Sequence, residues 1–157
     1  MRPPRLIATT LLVFIWLGGA LAVLQVVLSA GVPRVGGTSL VAHVTGMAAG
    51  YGAAIMLILM SRSPWLERGV GAHRLSRWHG LGGQLVIILA VVHTLLAVLA
   101  WAEARSTDRI TAIKDVLSLP GLTAALVGTV ILLLVGLASL RRLRRRISYE
   151  RWHFLHL

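Results

Sequence analysis

Cysteine is absent from the 157 residues, which excludes disulfides, thiolate metal sites, iron–sulfur clusters and covalent c-type haem attachment within this chain. Any redox chemistry must therefore use histidine, of which there are six. Acid is nearly as scarce, with 5 Asp and Glu against 16 Lys and Arg, a formal net charge of +11. Charged residues make up only 13% of the chain. Linkers, low-complexity tracts and a soluble domain are lacking as well. What fills the chain instead is apolar: 57% hydrophobic residues and a mean hydropathy of +0.81, too oily for a water-soluble globule of this size. The positive charge does not point to nucleic acid, because the arginines cluster at the ends of long apolar runs rather than along one polar face.

Four uncharged stretches reach membrane-spanning length, residues 6–30, 40–60, 79–102 and 121–140. Each provides the roughly 20 residues that cross ~30 Å of hydrocarbon as helix. The expected class is an all-α integral membrane protein, a bundle of four complete helices followed at 152–157 by the start of a fifth. The first stretch is longer than the core of a cleaved signal peptide and reads as a retained signal anchor. Basic residues fix the expected orientation. Arg2 and Arg5, four arginines in 61–78 and six in 141–151 lie on one side, against Arg34, Arg105, Arg109 and Lys114 on the other. That imbalance puts the amino terminus in the cytoplasm of a multi-pass plasma-membrane protein. The run at 141–146 also attracts anionic lipid, and is the alternative docking surface for a cytosolic reductase. Between the third and fourth spans, Thr107 or Asp108 can cap a short surface helix with Ile110, Ile113, Val116 and Leu117 on one face. Pro120 suits the first turn of the fourth span.

Chemistry concentrates on the third span. His79 and His93 are 14 residues apart, so at ~100° per residue their side chains diverge by only about 40° and share a face, with a rise of ~21 Å between them. Gly83, Val86, Ala90 and Ala97 occupy the same stripe, leaving an apolar, shallow surface against which a macrocycle or another helix can lie. An imidazole in hydrocarbon needs partners for its ring nitrogens; iron can take one and a backbone carbonyl the other. The alternative is that the histidines bond across helices and hold no cofactor. His156, near the inner end of the fifth helix, is expected at the depth of His79, so that one haem could be clamped between them. His153, one turn earlier, is the weaker candidate. His43 reads as an interhelical hydrogen-bonding residue, with Gly46 and Gly50 as a close-packing pair, and His73 as solvated in the basic inner connection.

Several motifs in order carry a resemblance. They are Thr45, Gly46, Ala49, Gly50 and Tyr51; Arg62, Pro64, Trp65, Leu66, Glu67 and Arg68; Arg74, Leu75, Arg77, Trp78 and His79; His93; and Ile147 to His153 with His156 and Leu157. From residue 41 onward the chain resembles the ferric reductase-like transmembrane domain of ferric reductases and NADPH oxidases, in particular the actinobacterial type fused to a flavin reductase. The resemblance implies a six-helix bundle with two b-type haems. His79 and His156 would be ligands of the inner haem and His93 of the outer. Electrons would come from cytosolic NAD(P)H through FAD in a flavin reductase domain or subunit, and pass to oxygen, ferric iron or another acceptor. A second histidine farther along the fifth helix, the sixth helix and the flavin and nicotinamide part are not in the sequence, so a truncated gene or fragment is expected. Two other functions are compatible with the residues: a haem-bearing, quinol-linked membrane anchor for a separate reductase, and a cofactor-free membrane scaffold.

Overall fold

The computed structural model describes residues 4–29 and 36–139, with Ser148, Glu150 and Phe154. Among the described residues there are six helices and no strand: α1 (Pro4–Ser29), α2 (Gly37–Met60), α3 (Pro64–Val70), α4 (Ala72–Arg105), α5 (Arg109–Ser118) and α6 (Leu122–Ser139). In hydrocarbon, where no water can bond to the backbone, helices satisfy every N–H and C=O internally, and the apolar runs become helices for that reason. Four of them, α1, α2, α4 and α6, are long and apolar enough to span a membrane. The expected all-α membrane architecture is what the chain adopts.

One local expectation is refined and one corrected. The basic connection at 61–78 is largely helical: Pro64 starts α3, Gly71 (φ +91°) turns the chain, and α4 begins at Ala72. His73 is therefore helical, though exposed. At 34 residues α4 is about 51 Å long, well beyond a bilayer core, so its charged ends project past the hydrocarbon. Pro120 does not sit in the first turn of a helix. Leu119, Pro120, Gly121 (φ +82°) and Leu122 form a turn closed by Leu122 N–H donating to Leu119 C=O at 3.2 Å, and α6 starts after it. A glycine at positive φ after proline is the type II arrangement, which outcompetes helix initiation at the proline. The fifth helix expected at 152–157 lies outside the described residues.

α2 and α4 form the most extensive seam; α1 packs on α2 and α3, and α5 and α6 lie more lightly on α4. At the end where α2 runs into α3, Leu59, Leu66, Val70 and Leu75 cluster with Ala8 of α1, and Ile7 fills the space over Gly69. At the opposite end Thr38 donates to Glu103 at 3.1 Å and the Arg105 guanidinium lies 4.0 Å over the Trp101 ring. Asp108 caps α5 by accepting from the N–H groups of Ile110 and Thr111, which fulfils one of the two capping alternatives.

Candidate functional site

The seam between α2 and α4 carries both transmembrane histidines of α4. His79 Nδ1 lies 3.3 Å from Met56 O, and His93 Nδ1 lies 2.8 Å from Ala42 O. Met56 and Ala42 are separated by the same 14 residues as the histidines, so an antiparallel partner with the same rise presents a carbonyl at each level. A carbonyl oxygen can only accept, so Nδ1 must donate in both contacts. The neutral ring then has its lone pair on Nε2. Both rings are thereby fixed in the tautomer and orientation that a metal ligand requires, in the way outer partners orient ligating histidines.

Glycine makes the approach possible. A Cβ on Gly46 would stand 2.6 Å from His93 Nδ1, one on Gly52 would meet Val86, and one on Gly82 would meet the Met56 side chain. Of the stripe read from the sequence, Val86 is buried and faces Gly52, so part of that surface serves helix packing. Another part does not: a Cβ on Gly83 would meet nothing within 4 Å. Gly83 is one turn beyond His79 on the same face of α4.

His43 departs from expectation. Its Nδ1 lies 2.7 Å from Ser39 O in its own helix, and the residue is exposed. An acceptor one turn back was closer than any partner on another helix, so the bond is intrahelical. The Gly46 and Gly50 pair also divides: Gly46 is packed on His93, whereas a Cβ on Gly50 would meet nothing within 4 Å. His153 and His156 lie outside the described residues. Among the described residues no cluster of three or more His, Asp or Glu forms a metal site. The sequence reading missed the carbonyls of Ala42 and Met56 as specific partners. The matching 14-residue spacing on α2 could have indicated them had the seam been known.

At the Thr38 end of the seam, Trp101 Nε1 and Thr107 Oγ1 are buried atoms without a hydrogen-bond partner, though neither residue is buried as a whole. No buried charged or polar residue occurs among the described residues. The seam is thus a low-dielectric wall holding two oriented imidazoles at two depths.

Comparison with known families places the chain. The model of the family described as ferric reductase like transmembrane component matches residues 45–157, well over half of the chain. No curated protein and no solved structure matches it. Four membrane-spanning helices and a family match that runs through His79 and His93 lead to one conclusion: the chain is a multi-pass membrane protein that belongs to the ferric reductase-like transmembrane component family.

Proposed function

We propose that this chain is the membrane part of an oxidoreductase that passes electrons across the plasma membrane through b-type haem. The donor side is a cytosolic flavin and NAD(P)H reductase domain or subunit, and the acceptor is oxygen or ferric iron. The observation that carries this is the pair of Nδ1 to carbonyl contacts on α2, which commit one nitrogen of His79 and of His93 and leave Nε2 as the basic atom in each. Bis-imidazole haem iron, when bound, supplies reversible one-electron chemistry.

The chain's own contribution is positional and electrostatic. His79 with His156 would hold an inner haem, and His93 would supply one ligand to an outer one. Met56 and Ala42 keep the imidazoles from rotating. Gly83 leaves the α4 face clear one turn beyond His79. The apolar helices keep water from the path, and a low dielectric with neutral ligands sets the potential.

The test is the reduced-minus-oxidised optical spectrum of the full-length protein in membranes. A low-spin b-type signal is expected, with His79→Ala and His156→Ala each removing one component and His93→Ala removing the other. No haem signal, or a signal unchanged in all three variants, overturns the reading. One observation favours a second function. The same histidine-to-carbonyl contacts tie α4 to α2 and would serve a cofactor-free scaffold equally well. That scaffold predicts colourless protein whose stability, rather than spectrum, falls in the histidine variants.

A further inference from the structure

A second feature of the bundle lies away from the histidines. Between α1 and α4, with α2 beneath, runs an apolar cleft of about 800 Å³. Ala20, Tyr51, Gly52, Trp78, Leu81 and Leu85 are among the residues that line it. It exists because the side chains that would close it are small or turned aside. Tyr51 is drawn to α1, where its hydroxyl donates to Ile15 O at 3.0 Å, and Gly18 and Gly19 let its ring pass. Gly52 and Gly82 leave low points in the floor and wall. The polar groups of the floor are already bonded, so what the cleft offers is hydrocarbon surface.

One end of the cleft is charged. Arg74 is one turn before Trp78 and Arg77 one turn before Leu81, so both arginines continue the α4 wall past the cleft on the same helix faces. Arg62 and Arg68 lie at the same end of the bundle, and all four are exposed. Among the described residues no ion pair engages any of them. Trp65, 63% exposed on α3, and Trp78 stand at the same level, the position that indoles take between hydrocarbon and headgroups.

We propose that this cleft is a binding site for an anionic phospholipid, with an acyl chain along the groove between α1 and α4 and its phosphate at Arg74 and Arg77. A groove whose lining is almost wholly apolar selects a hydrocarbon chain. The exposed guanidiniums of Arg74 and Arg77, one turn beyond its Trp78 end, select an anionic head over a zwitterionic one. The lipid would fill the gap between α1 and α4 and so fix α1, which otherwise leans on α2 and α3.

Native mass spectrometry of the full chain, released from detergent with phosphatidylglycerol or phosphatidylcholine, tests the site. Phosphatidylglycerol is expected to stay bound in preference, at one copy per chain. The exposed double substitution Arg74→Gln with Arg77→Gln should lower its retention about tenfold or more while leaving phosphatidylcholine unaffected. Ala20→Trp, which fills the groove from an exposed position in its lining, should abolish retention of both lipids with the arginines intact. Equal retention of the two lipids, retention unchanged in either variant, or preferential retention of a neutral isoprenoid quinone overturns the site. Helical circular dichroism of each variant separates loss of the site from loss of the fold, and an unfolded Ala20→Trp leaves the double arginine variant to decide.

Discussion

At the scale of single residues, what holds the site in place is the absence of a side chain. Gly46 lets the His93 ring reach Ala42 O, and its missing Cβ is the volume that the ring occupies. Gly46→Ala is expected to push the imidazole off its carbonyl and destabilise the seam by about 1–3 kcal/mol, the usual cost of overpacking. Gly50→Ala, one turn along the same helix and facing open space, should be neutral or stabilising by up to about 1 kcal/mol, since alanine is the better helix former. Thermal unfolding of the two variants in detergent checks the pair; equal shifts would contradict the packing described. The sequence made both glycines visible as a motif but treated them alike. Only the relative rotation of α2 and α4 separates them.

At the scale of elements, α5 shows how local chemistry fixes a short helix outside the bilayer core. Asp108 accepts from the Ile110 and Thr111 N–H groups and from the Thr111 hydroxyl. The Thr111 side-chain hydrogen bond foremost, with the backbone N–H bonds, holds the carboxyl below its ordinary value of 3.8. A carboxylate whose pKa is depressed in the folded state contributes stability above the unfolded value and loses it as pH falls through the folded one. Protection of the Thr111 amide from hydrogen exchange, corrected for the intrinsic rate, should therefore be constant at neutral pH and fall only below about the unfolded aspartate value. Asp108→Ala should abolish that acid dependence and lower the protection at every pH. The capping alternatives at 107 and 108 and the face of the short helix were readable from residue type and spacing. The helical start of α4 inside the basic stretch was not, because arginine and histidine are compatible with helix or loop, and Gly71 alone marks the break.

For the whole molecule, charge asymmetry is the organising quantity. The arginines of α3 and the start of α4 share one end of the bundle, while Arg105, Arg109 and Lys114 share the other with Glu103, Asp108 and Asp115. The positive-inside rule predicts that the arginine-rich end faces the cytoplasm. Fusing a periplasm-active phosphatase at Thr107, between α4 and α5, should give an active reporter, and fusing it at Ser61 an inactive one; the reverse pattern would invert the proposed direction of electron flow. α6 presents no buried residue, and many large apolar side chains of α1, α2 and α4 are exposed. In a bilayer those faces meet lipid or further helices.

The sequence alone determined the class, the four spans and the shared face of His79 and His93, because these follow from hydrophobic length and from the fixed 100° step of a helix. It also carried the family, through motifs whose order survives without any structure. Tertiary structure decided what those residues touch. That α2 packs antiparallel in a register presenting Ala42 and Met56 to the two imidazoles, that His43 turns back on its own helix, and that α1 and α4 leave a groove between them all depend on how helices rotate and seat against one another. Those rotations are set by small residues at a few crossing points, and no periodicity within one helix encodes the position of its neighbour.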